Sequence, residues 1–85
     1  MHAEFVIKSC FVSPGLGVLV SGDVMQGDIE ENTQAKTPQG KMVTVVRIDM
    51  QGTKIKIAHA KDKINIILKG ATISDVHPGM KIDFF

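Results

Sequence analysis

Apolar residues recur at every second position through most of this chain, and glycine or proline interrupts the recurrence at short intervals. A period of two matches the pleat of a β-strand, whose successive side chains point to opposite faces, and does not match a helical stripe. Phe5, Ile7 and Phe11 alternate with Val6, Lys8 and Cys10, and Val18, Val20 and Val24 alternate with Leu19, Ser21 and Asp23. Ile55 and Ile57 alternate with Lys54 and Lys56, which predicts a half-buried strand with its lysines outward. Ile64, Ile66 and Leu68 repeat the pattern, and Lys81 to Phe85 reads as a final strand. Met42 to Met50 is rich in β-formers but apolar on both parities, as expected of a strand covered on both sides or crossing a barrel.

Turn chemistry separates these runs. Ser13-Pro14-Gly15, Thr37-Pro38-Gln39-Gly40, Gln51-Gly52 and His77-Pro78-Gly79 supply proline where φ is already set or glycine where φ can be positive. Gly17 opens one strand pattern and Gly22 lies inside it, the mark of a bulge, a tight bend or a close backbone approach. The one helical expectation is a single turn at Ile73-Ser74-Asp75-Val76, ahead of Pro78. Six or seven short strands without a helical stripe predict an all-β fold. A closed barrel is preferred to a sandwich because closure removes exposed edges. With 85 residues the chain is expected to form one domain, 1–85.

Composition narrows the function. The apolar fraction of 44% is too high for a disordered chain and too evenly spread for a membrane span. The start Met1-His2-Ala3-Glu4 lacks the basic and apolar regions of a signal peptide, and a single cysteine precludes an internal disulfide. Both point to the cytoplasm. The net charge is +1, but it is unevenly distributed. From Ser9 to Ala35 there are four acids (Asp23, Asp28, Glu30, Glu31) and no Lys or Arg. From Lys54 to Lys69 there are five lysines (Lys54, Lys56, Lys61, Lys63, Lys69) and His59 against one Asp62. Either the two surfaces lie side by side and moderate each other, or one of them is an interaction patch.

Catalytic signals are missing from the sequence. His2, His59 and His77 have no metal-ligand spacing, and Cys10 has no CxxC partner, so no metal is expected. Cys10 sits mid-strand, as a plain buried thiol does. No serine has the context of a nucleophile elbow, and Gly15-Leu16-Gly17 is followed by no phosphate loop. Asp49-Met50-Gln51-Gly52 is a strand running into a turn. The expectation is therefore a binding protein with no catalytic residue and no cofactor. The four phenylalanines fall in the first and last strands and are expected in the core, leaving lysine and backbone geometry as the means of contacting RNA.

The run Phe11-Val12-Ser13-Pro14-Gly15-Leu16-Gly17-Val18-Leu19-Val20-Ser21-Gly22-Asp23-Val24-Met25-Gln26-Gly27-Asp28-Ile29 resembles the stretch that opens domain II of elongation factor Tu and elongation factor 1-alpha, two translational GTPases. The strand Val46-Arg47-Ile48-Asp49-Met50 is similar to one that ends in valine-glutamate-methionine in that family. Ala60-Lys61-Asp62-Lys63-Ile64-Asn65-Ile66-Ile67-Leu68-Lys69-Gly70 resembles its A-G-D-N-V-G-x-x-L-[KR]-G segment, and Ile73 to Met80 its closing turn. The likeness covers about residues 5–85. It implies a six- to seven-stranded antiparallel β-barrel of the domain II type, and a translation-related role contacting tRNA or ribosomal RNA. Carried over by position, the family's tRNA 3′-end pocket falls on Ser13, Leu16, Leu19, Asp49 and Ile67, with Lys54, Lys56, Lys61, Lys63 and Lys69 as candidate phosphate contacts. Four positions depart from the family: Leu16 and Asp23 where arginine is usual, Ser13 for an apolar residue, and Lys61 for a glycine. The alternative is a protein-interaction module that docks on a separately encoded GTPase or another protein. No membrane or DNA partner is expected.

Overall fold

The computed structural model describes residues 3–84; Phe85, assigned by the sequence to the final strand, lies outside them, as do Met1 and His2. Nine strands follow one another: β1 (Ala3–Ser13), β2 (Gly17–Gln26), β3 (Ile29–Glu30), β4 (Gln34–Lys36), β5 (Met42–Met50), β6 (Thr53–Ile55), β7 (Ile57–Ala58), β8 (Lys63–Lys69) and β9 (Lys81–Phe84). A single 3-10 turn at Ile73–Asp75 stands where the sequence places its one helical turn. Strands β4, β9, β1, β2, β8 and β5 pair in that order, and β4 pairs back onto β5. The result is a closed six-stranded antiparallel barrel, with β6 added outside the end of β5 and β3 paired separately with β7.

Alternation decides what enters the barrel. On β2 the inward residues are Val18, Val20, Gly22 and Val24, all buried, while Leu19, Ser21 and Asp23 face out half-buried. Phe5, Ile7, Val20, Ile48, Ile66, Leu68, Ile82 and Phe84 are fully buried in one apolar cluster. Burying each such side chain contributes about 1.5–3 kcal/mol, the main term holding a chain of this size together. Gly22 is required for a steric reason. A Cβ there would collide with the carbonyl oxygen of Val6 and lie 3.0 Å from Phe5 Cζ, so β1 and β2 approach only because the side chain is absent.

Three register shifts interrupt the barrel strands among the described residues, and two of them, in β1 and β5, correct the simple sequence pattern. In β1 the register moves from Ile7 opposite Gly22 to Ser9 opposite Ser21, leaving Lys8 unmatched. Parity flips there, so Phe11 does not join the core. It faces out, 58% exposed, opposite Leu19, while Cys10 turns inward and packs half-buried against the core. In β5 Val46 is the unmatched residue. Val43 and Val45 point inward before it and Ile48 after it, which explains why this strand is apolar on both parities.

The expected strand from Lys54 to Ile57 is also corrected. The chain bends at Lys56, and Ile57 is exposed on β7, where it pairs with Glu30; Ala58 supplies the buried position instead. The turn before it is as expected. Gln51 and Gly52 have φ of 53° and 82°, the left-handed pair of a two-residue hairpin, and they join β5 to β6.

Candidate functional site

The acidic and basic segments of the sequence meet in the fold. Glu31 Oε2 lies 3.5 Å from Lys54 Nζ, and Asp28 Oδ1 lies 2.9 Å from His59 Nδ1. Asp23 stands directly opposite Lys63, and its carboxylate is 3.8 Å from Lys8 Nζ. The two surfaces moderate each other, one of the two readings that the sequence left open. Hydrogen bonding to Asp28, followed by its charge, raises the pKa of His59 above the ordinary 6.5.

The outer face of β1, β2, β8 and β5 carries two cross-strand rows of interest. One runs Phe11, Leu19, Ile67, Arg47, and the next runs Ser9, Ser21, Asn65, Asp49 and on to Lys54 in β6. Directly opposed residues share a face, so each row is a contiguous strip of side chains. Ser21 Oγ donates to Asn65 Oδ1, and Arg47 Nε donates to Asp49 Oδ1 at 2.9 Å. Ile67 points away from the interior yet is only 5% exposed, and it lies outside the core cluster.

A shallow groove of about 500 Å³ opens beside the second row. Lys8, Ser21, Asp23, Asp49, Gln51, Lys63 and Asn65 contribute its polar groups, so two lysines are balanced by two aspartates. Such a lining offers both donors and acceptors and suits a ligand carrying hydroxyl and anionic groups rather than an apolar one.

Of the five pocket residues assigned by resemblance, the structure brings Leu19, Ile67 and Asp49 together on adjacent rows, and only Asp49 lines the groove. Ser13 and Leu16 lie at the β1–β2 hairpin end, with Ser13 opposite Gly17 and Leu16 in the turn. Ser21 and Asn65 were missed. Their signal was slight: each is a polar residue at an outward position, one among several on its strand.

The five lysines are spread over several elements. Lys63 and Lys69 lie at the two ends of β8 on the outer face, spanning roughly 20 Å at strand spacing. Lys54 is held by Glu31, Lys56 occupies the bend, and Lys61 sits in a turn with φ of 76°. Among the described residues no three His, Cys, Asp or Glu side chains are grouped to hold a metal ion, and no helix is long and apolar enough to cross a membrane.

No protein-family model matches the sequence, and no curated protein matches it. Solved structures do. The translation elongation factor SelB of Methanococcus maripaludis, in its apo form, superposes with a TM-score of 0.90 over 98% of this chain at 18% identity. A bacterial selenocysteine-specific elongation factor, EF-Sec, superposes with a TM-score of 0.86 over 94% at 25% identity. This chain has the β-barrel fold of a translation-factor domain. It spans 18% and 14% of the length of those two chains, so a single barrel-sized part of each is what it matches. Within that barrel Lys61, which stands where the resembling family has glycine, keeps the positive φ that glycine would adopt freely.

Proposed function

We propose that this chain is a translation-related binding module that contacts RNA through the outer face of β2, β8 and β5 and carries out no chemistry of its own. The observation that carries the proposal is the likeness over nearly the whole chain to a domain of two elongation factors. The site is compatible with it. Leu19 and Ile67 offer a small apolar wall, Asp49 and Asn65 offer hydrogen-bonding groups to hydroxyls, and Lys63 and Lys69 carry no ion pair among the described residues. The groove's near-neutral balance makes the contact weak and local, a match for an RNA end and not for a long duplex. Ser13 and Leu16, at the hairpin end, complete the candidate contact at its margin.

Filter binding of tRNA and ribosomal RNA across a salt series tests this reading. Affinity that falls as salt rises, and falls again on replacing Lys63 and Lys69, supports it; no binding at low salt overturns it. A second reading, docking on a GTPase or other protein, is favoured by the exposed apolar residues Phe11, Val12 and Leu16 around the hairpin. Recovery of a stoichiometric protein without RNA would support that alternative.

A further inference from the structure

Gln51 occupies a backbone position that its own chemistry does not favour. It is the first of the two residues in the β5–β6 hairpin, with φ of 53°, and such turns prefer glycine, asparagine or aspartate there. Glutamine has neither the missing Cβ of glycine nor the short polar side chain that lets asparagine bond locally to the backbone. Packing does not call for it either. Gln51 is exposed, and a Cβ added at its neighbour Gly52 would meet no atom within 4 Å. Its side chain nevertheless lines the groove of about 500 Å³, together with Asp49 and Asn65. Residues held in unfavoured conformations cluster at ligand clamps and active sites, where the side chain is in use.

We propose that Gln51 is a hydroxyl-reading residue of this groove, its carboxamide engaging a ribose of single-stranded RNA in preference to deoxyribose. The inference rests on the RNA reading above and adds which part of the RNA the groove holds. The lining selects the sugar over the base and the phosphate. It has no aromatic ring on which a base could stack, and its apolar members are Gly22 and Ile64. Asp49 stands directly across from Asn65, and Asp23 lies two residues along β2 from Ser21. A phosphate seated at the centre would therefore lie between two carboxylates and be repelled, while Lys63, opposite Asp23, is left for the phosphate next along the strand. Hydroxyls both donate and accept, and the lining meets each need. Asp49 gives Oδ1 to Arg47 and keeps its second oxygen as an acceptor. Ser21 occupies Asn65 Oδ1, which leaves the Asn65 amide N–H groups to donate. The Gln51 carboxamide, with no partner among the described residues, can do both. Deoxyribose lacks the 2′-hydroxyl and would leave such a group without its bond.

Filter binding of oligouridylate and oligodeoxyuridylate to the full 85-residue chain at low salt tests the proposal, since the two probes differ only in the 2′-hydroxyl. The wild type is expected to hold oligouridylate more tightly. Gln51→Gly should lose about two- to tenfold of that affinity, the worth of one hydrogen bond, with the affinity for oligodeoxyuridylate unchanged. The log–log salt slope stays the same because no charge is removed. Urea unfolding separates use from architecture. Glycine and asparagine both suit the turn better than glutamine, so Gln51→Gly and Gln51→Asn keep or raise the unfolding midpoint while binding falls. Gln51→Asn, whose amide is one carbon–carbon bond short, falls between wild type and Gln51→Gly. Variants that retain the wild-type ratio between the two probes overturn the proposal, as does an equal loss on both. A wild type that binds tRNA but does not distinguish the probes overturns this inference and leaves the RNA reading standing. A wild type that binds no RNA overturns both.

Discussion

Asp28 Oδ1 and His59 Nδ1 meet at 2.9 Å, joining the acidic loop after β2 to the turn before β8. His59 N also donates to Asp62 Oδ2 at 2.8 Å, so two carboxylates face this residue. The imidazolium is favoured, and the pKa of His59 lies above 6.5. A histidine with a raised folded value contributes stability that is fully present below its unfolded pKa and is lost as pH rises through the folded value. Nuclear magnetic resonance titration is expected to find the His59 midpoint above 6.5, returning toward 6.5 in Asp28→Asn. The wild type alone should then lose a small increment of thermal stability as the pH is raised from mildly acidic through that midpoint.

Lys61 sits third in the turn His59-Ala60-Lys61-Asp62, closed by Asp62 N donating to His59 O at 3.0 Å. Its φ of 76° costs an L-residue about 1–2 kcal/mol, and glycine would escape that strain while losing some unfolded-state entropy. Lys61→Gly is therefore expected to stabilise the barrel by about 0.5–1 kcal/mol. Urea unfolding checks this as a higher midpoint at constant slope.

Gly22 offers the opposite case. Adding one methyl there drives it into the backbone of Val6, which no rotamer change relieves. Gly22→Ala should cost about 3 kcal/mol or more, at the upper end for overpacking. Gly52→Ala, where the added methyl meets open space, should cost only the strain of its positive φ, about 1–2 kcal/mol. Comparing the two unfolding midpoints separates steric from conformational demand.

Lys63 and Lys69 frame the outer face of β8. If each neutralises one phosphate of a single strand, Lys63→Glu and Lys69→Glu should each flatten the log–log salt dependence of RNA affinity by about 0.7. Lys56→Glu, in the bend after β6 and outside β8, should leave the slope nearly unchanged. Equal effects from all three would instead mark a diffuse charge attraction.

The architecture was largely legible because alternation and turn residues are written locally: Val18, Val20, Ile64, Ile66 and Gln51-Gly52 all behave as their neighbours in sequence imply. What escaped was the effect of single inserted residues. Neither Lys8 nor Val46 differs in composition from an ordinary strand residue, yet each flips every position after it, and Phe11 moves from expected core to surface. The site was half legible. Leu19, Asp49 and Ile67 fall together once the strands are in register, whereas Ser21 and Asn65 become neighbours only across β2 and β8, at a separation of 44 residues. The five lysines fall on separate elements (β6, the bend at Lys56, the turn at Lys61 and the two ends of β8), an arrangement that adjacency along the chain does not reveal.

The whole cylinder is fastened through β4, which meets β5 at three positions and β9 at two. Slipping those few pairings would convert a hoop into a curled ribbon with two bare margins, admitting solvent to Val43 and Phe84 before the rest of the interior. Local opening is expected first at this seam, with the amide protons of Ala35 and Lys36 exchanging before those of β1 and β2.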